Sequence, residues 1–234
     1  MSCPDPLPRQ HAKALRYKTS KRAIARYLNG DIEWDHKELK STRDRIRKDL
    51  RDSQKQCCYY CRRLIRLERR NVGEAIEHFL DKSKPPYRKW GFHPLNLVLS
   101  CQPCNIVKST KDLGDQAVKS AKFISANSGN YLWPHPYFDS YNENIVIAPG
   151  PVYSALIGAP RFNQACKMID DLKLAEIPNI DDRALMAAKE IQRLQNKLLI
   201  LAAAPPRMPS KRRPTVLAEI KARLDKFMFE VFGL

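Results

Sequence analysis

Two Cys-x-x-Cys pairs constrain this chain more than any other feature: Cys58-Tyr-Tyr-Cys61 and Cys101-Gln-Pro-Cys104. Each pair forms a short knuckle that presents two sulfurs to one ion, and Zn²⁺ takes a tetrahedral set of four thiolates at about 2.3 Å. The two pairs are expected to converge on one structural zinc. Cys57 is spare and replaces Cys58 only if its knuckle opens to Cys-x-x-x-Cys; Cys3 and Cys166 stand alone. No apolar run opens the chain, and no stretch approaches the roughly 18 apolar residues of a membrane span. A soluble, cytoplasmic protein is therefore expected, in a reducing compartment where paired cysteines signify metal rather than disulfides. Unligated core cysteines are the alternative.

Hydrophobic residues make up 43% of the 234, with only 8 Gly, so a buried core is within reach and a disordered or collagen-like chain is excluded. The net charge is +17. Residues 1–70 hold 20 Lys and Arg against 9 Asp and Glu, a net of +11. Such a field draws polyanions, and nucleic acid is the default partner; the plainer alternative is a well-solvated surface.

Local signals outline a largely helical chain. Thr19-Ser20 caps a short helix over Lys21 to Leu28, closed by Gly30. A longer helix runs from about Trp34 to Ser53, with Leu39, Ile46 and Leu50 on one face and Lys37, Lys40, Arg43, Arg47, Lys48 and Arg51 around the rest. The aromatic, proline-interrupted stretch from Tyr131 to Phe138 is expected to be extended and packed. Two short strands, Asn144 to Ala148 and Val152 to Ile157, flank the turn Pro149-Gly150-Pro151. Helices follow over Phe162 to Leu174 and from Asp181-Asp182, the latter carrying Ala184, Ala187, Ile191, Leu194, Leu198 and Leu201 at helical spacing. A basic, proline-rich linker (205–214) leads to a last helix opened by Thr215, with Leu217, Ile220, Leu224, Phe227 and Val231 in repeat. These two faces pack on a core or on each other, or else dock a partner subunit.

Between the cysteine pairs the order is more specific. Glu74-Ala-Ile-Glu77-His78-Phe79-Leu80 forms a strand ending in an acid–His pair. A loop rich in Lys and Pro follows, then the strand Leu95-Asn96-Leu-Val-Leu-Ser100. That strand runs into the second knuckle and a short helix with Asn105 and Lys108. This pattern resembles the HNH endonucleases, whose ββα-metal motif carries an acid–His on the first strand, an Asn before the second and a His or Asn on the helix. Cys-Cys-Tyr-Tyr-Cys, Ile76-Glu-His-Phe and Asn96-Leu-Val-Leu-Ser-Cys look closest to one branch. That branch is the PtuB-type nuclease subunit of Septu and retron-linked antiphage systems, although Asp81 stands where that branch usually has Pro. The close likeness covers roughly a quarter of the chain.

The resemblance implies an α+β fold, with a zinc-stapled ββα-metal core inside a mainly helical chain. Three regions are expected: a basic helical N-terminal region (1–56), a nuclease core (57–115) and a helical C-terminal region (116–234). The chemistry suits these residue types. His78 titrates near neutral pH and can take a proton from water. Glu77 and Asn105 offer hard oxygens to one Mg²⁺ or Mn²⁺. Asn96 ties the loop to the strands, and Lys108, one turn beyond Asn105, approaches a substrate phosphate. Successive strand residues face opposite ways, so Glu77 and His78 share a site only at a strand end or distortion. Each has a structural alternative: His78 as a buried, hydrogen-bonded core histidine, Glu77 as a salt-bridge partner for an arginine, and Asn105 as a cap of its helix.

What the resemblance implies for function is cleavage of DNA or RNA to a 5′-phosphate and 3′-hydroxyl. It also implies a PtuA-like, ABC-type ATPase subunit as partner and a role in antiphage defence. The basic first 70 residues are candidates for substrate contact, and the C-terminal helices for the ATPase. Two other readings stay open: a free-standing HNH nuclease, and a silent zinc-stapled module that binds nucleic acid without cutting it.

Overall fold

The computed structural model describes residues 3–8, 10–65, 73–148, 152–177, 190–197, 199–200 and 212–232. Helix and strand are mixed, as in an α+β protein, and the chain divides into two compact units. One comprises residues 1–148 and 153–175, the other 149–152 and 176–234. The basic N-terminal helices and the cysteine-bearing segment lie in the same unit. Among the described residues no helix is long and apolar enough to cross a membrane.

Helix α1 spans Lys18–Asn29 and ends on Gly30, whose φ of 87° is the left-handed cap that glycine adopts without strain. It starts before the predicted Thr19-Ser20 cap. Ser20 lies inside the helix, fully buried, and accepts a 2.9 Å hydrogen bond from Thr42 Oγ1 of α2. A tertiary contact has thus claimed a residue type that more often caps.

Helix α2 spans Lys40–Ser53, entered through a 3₁₀ turn at Lys37–Leu39. Leu39, Ile46 and Leu50 are buried as its heptad-like spacing requires. Arg47 and Arg51 reach from α2 to Glu74, a carboxylate that is almost fully buried. That contact pins α2 to the first strand.

Strands β1 (Glu74–His78) and β2 (Leu97–Cys101) pair antiparallel, with Glu77 opposite Val98 and His78 opposite Leu97. The connection between them holds a four-residue helix, α3 (Pro85–Arg88), and a 3₁₀ turn at Pro94–Asn96. Helix α4 (Gln102–Lys108) leaves directly from β2 and packs on both strands. Val98 and Leu99 are fully buried, which explains why β2 reads as an unbroken apolar run.

Gln54, just past α2 and fully buried, completes the outer edge of β2. Its amide donates to Leu99 O and Cys57 O, both at 2.9 Å, and accepts from Leu99 N at 2.7 Å. The Tyr59 amide also donates to Leu99 O, and the Tyr137 hydroxyl to Leu97 O.

Further along lie α5 (Gln116–Ser120), the short pair β3 (Ile145–Ala148) and β4 (Val152–Ala155), and α6 (Phe162–Asp171). Tyr131, Trp133 and Tyr137 are buried in non-helical backbone. In the second unit, residues 190–197 are helical and α7 spans Arg212–Phe232, opening ahead of Thr215. The predicted linker lies outside the described residues except for its last three positions, and so do the predicted Asp181-Asp182 cap and Leu198.

Gln54→Leu keeps the volume but leaves the Leu99 N–H without its acceptor. The expected loss is roughly 2–4 kcal/mol in urea unfolding; a change under about 0.5 kcal/mol would show that the edge needs no such partner.

Candidate active site and metal centre

The first knuckle is closed by backbone bonds. Cys58 N donates to Arg63 O and Arg62 N to Cys58 O, both at 2.9 Å, and a β-bridge joins Cys57 to Leu64. Arg62 takes a positive φ of 56° to make the turn. Its guanidinium lies 4.0 Å over the Tyr141 ring and pairs with Asp5, which ties the knuckle to two distant segments. In the second knuckle Cys101 ends β2 and sits at the N-cap of α4, with Cys104 in the first turn.

The sulfurs of Cys58, Cys61, Cys101 and Cys104 all lie within 4.8 Å of one another, and Cys61 and Cys101 are 3.9 Å apart. Tetrahedral zinc with 2.3 Å bonds separates its sulfurs by about 3.8 Å. The donor set therefore fits a structural zinc ion. Cys57 is excluded from it, with its thiol directed at Lys55 O. Among the described residues no other group of three or more His, Cys, Asp or Glu ligand atoms is close enough to share an ion.

His78 ends β1 and is nearly fully buried. Its Nε2 is 2.9 Å from Gly91 O, a carbonyl that can only accept, so Nε2 carries the proton and Nδ1 the lone pair. Trp34 packs edge-on against the ring, centroids 4.4 Å apart. Burial, then the Lys82 ammonium, hold the imidazole well below its usual pKa, against the Gly91 hydrogen bond, which raises it. The ring is neutral at neutral pH.

Glu77 reaches towards α4. Its Oε1 lies 2.7 Å from Lys108 Nζ, and that ammonium also donates to His78 O at 2.9 Å. Burial raises the Glu77 pKa and Lys108 works against that rise. Lys108 itself is fully buried. This corrects the expectation that it meets a substrate phosphate: its charge is enclosed by the acid–His strand.

Asn96 is also fully buried. Its Oδ1 accepts from Leu80 N at 2.7 Å, while Nδ2 donates to Leu80 O at 3.0 Å and Trp90 O at 3.1 Å. One amide thus clamps both ends of the connecting loop. Within that loop Asp81 accepts from the amide and hydroxyl of Ser83. Asn105 is half-buried in α4; the N-cap is Cys101, and the Asn105 side chain makes no hydrogen bond among the described residues.

Trp34, Tyr27 and Gly91 carry no sequence signal, yet they set the surroundings of His78. A cleft of about 540 Å³ is lined by Tyr27, Glu33, Trp34, Asp35, Lys82, Ser83 and Arg88; His78 does not line it and meets it through the Trp34 ring. Gly91 has to be glycine because Tyr27 lies against its Cα. A Cβ there would fall 2.7 and 2.8 Å from ring atoms Cε1 and Cζ of Tyr27.

For a divalent ion, Glu77 retains Oε2, which has no partner among the described residues, and Asn105 retains its amide oxygen. Hard oxygens of this kind fit Mg²⁺ or Mn²⁺. The ammonium already on Oε1 weakens the hold of any such ion. The chain matches no known family model, curated protein or solved structure.

Two outcomes are expected. Wild type should hold one zinc per chain by atomic absorption, and Cys101→Ser and Cys104→Ser should lose it and unfold at lower temperature; full zinc content in both variants would sink the four-sulfur site. Gly91→Ala should lose about 1–3 kcal/mol from overpacking and shift the His78 imidazole NMR signals, because the carbonyl that orients the ring moves. Unchanged His78 resonances would mean that Gly91 does not set the ring.

Proposed function

We propose that this chain is a metal-dependent HNH-type endonuclease whose core is β1, β2 and α4. The observation that carries the reading is a neutral His78 at a strand end, its tautomer set by Gly91 O so that the lone pair is on Nδ1. It belongs to a β-hairpin and following helix that the four-cysteine cluster fastens together.

Nδ1 of His78 takes the proton as a water oxygen attacks phosphorus. The P–O3′ bond breaks, and the leaving oxygen collects a proton to give a 3′-hydroxyl and a 5′-phosphate. Glu77 Oε2 and Asn105 would hold Mg²⁺ or Mn²⁺, which when bound supplies Lewis-acid stabilisation of the phosphate charge. Lys108 opposes the rise that burial gives the Glu77 pKa and fixes the strand at His78 through its carbonyl. Asn96 organises the loop, which in turn places Gly91 and the cleft. Substrate is placed in the cleft beside Trp34, with Lys82 next to it.

The sequence likeness to PtuB-type subunits supports a pairing with an ABC-type ATPase in antiphage defence, and a free-standing nuclease is the second reading. Zinc-loaded wild type and His78→Ala are to be incubated with plasmid DNA, phage DNA and total tRNA, with and without Mg²⁺ or Mn²⁺. Metal-dependent cutting that falls by about 10²–10⁴-fold in His78→Ala is expected. Equal cutting by both proteins would remove His78 from the chemistry. If neither cuts alone, co-purification with the neighbouring operon products decides: cutting by a complex with an ATPase supports the subunit, and none leaves the silent binding module.

A further inference from the structure

The solvent face of α2 carries a second concavity, also about 540 Å³, lined by Lys37, Lys40, Ser41, Asp44, Arg45 and Lys48. The opposite face of the same helix is buried through Thr42, Ile46 and Leu50, while Lys37, Lys40 and Lys48 are exposed to solvent.

The one acid in this groove is already committed. Asp44 pairs with Lys40 at 2.9 Å and with Arg47 at 3.1 Å. Lys37 and Lys48 are exposed and have no ion-pair partner among the described residues. Arg45 lies 4.4 Å over the exposed ring of Tyr17, and its Nη1 is buried with no acceptor.

The groove is also coupled to the cleft at Trp34. Arg43 of α2 donates to the carbonyls of Trp34, Asp35 and His36, at 3.0 Å to Asp35 and 3.1 Å to His36. It thereby fastens to α2 the same turn whose Trp34 touches the His78 ring.

We propose that this α2 groove is the docking track for the sugar-phosphate backbone of a nucleic-acid duplex, which it leads towards the cleft at Trp34. From Lys37 to Lys48 the helix covers about 16 Å, the rise of about five nucleotide steps along one strand. Contact of this kind is to phosphate and carries no base preference. The inference rests on the nucleic-acid part of the functional reading and is independent of whether the chain cuts.

The test is fluorescence anisotropy of the full-length zinc-loaded protein with labelled 20-base-pair DNA and RNA duplexes of arbitrary sequence. It is run without added Mg²⁺ or Mn²⁺, over a salt series. Two groove variants are compared with wild type: Lys37→Ala with Lys48→Ala, and the same pair with Arg45→Ala. The double variant changes only exposed side chains and keeps the test interpretable if loss of Arg45 disturbs folding. A control removes three exposed lysines that do not line the groove: Lys122, Lys197 and Lys221.

The groove variants should bind at least about tenfold more weakly, with the slope of log K against log salt shallower by roughly two to three, about 0.9 for each lost phosphate contact. The control should stay within about twofold of wild type. Equal weakening of groove variants and control would show a diffuse field and overturn the proposal. Wild-type-like binding by the groove variants, or no binding by wild type, would overturn it as well. Groove-dependent binding without cutting by the isolated chain would uphold the track and leave the nuclease reading to be decided with the co-purified complex. Cutting with groove-independent binding would overturn the track and uphold the nuclease reading. Loss of binding to one duplex type alone assigns the track to that type.

Discussion

Convergence of four cysteine sulfurs is the constraint from which the rest of this architecture hangs. Two of them flank the corner where β2 becomes α4, and two belong to a knuckle that follows directly from α2. An ion on that set fixes the strand, the helix and the preceding basic helix relative to one another. In a small core the binding free energy of such an ion is folding free energy. The hairpin alone would be marginal, since two strands do not bury enough to stand by themselves.

A set of buried polar groups, each provided with partners, lies around that staple. Asn96 closes the loop, Gln54 closes the strand edge, and Lys108 neutralises Glu77 while holding the His78 carbonyl. A buried ion pair of this kind adds little net stability, because desolvation offsets much of the attraction. What it supplies here is register: slipping β1 by one residue would turn Glu77 away from Lys108 and His78 away from Gly91.

Several of these features were legible in the chain. The cysteine spacing announces the cluster, the apolar run 97–99 announces a doubly buried strand, and Leu39, Ile46 and Leu50 announce the inner face of α2. Residue type alone also allows an Asn before a strand to clamp a loop, but its partners Leu80 and Trp90 are visible only in three dimensions. Lys108 reads from sequence as a surface cation because lysines are rarely buried; only the fold shows that Glu77 waits for it. Trp34 and Gly91 give no signal, since their roles depend on a turn and a loop brought to His78 from far along the chain. Ser20 reads as a cap for the same reason: its partner Thr42 is not local.

The closed edge of β2 limits how another protein can recognise this chain. Many associations work by adding a strand to a free sheet edge, where main-chain groups supply the affinity. Here the outward N–H and C=O of Leu99 are taken by Gln54 and Tyr59, and the outward Leu97 C=O by Tyr137. A subunit that associates with this protein gains no main-chain ladder along β2. The same closure denies a second copy of the chain a template for edge-to-edge growth along β2.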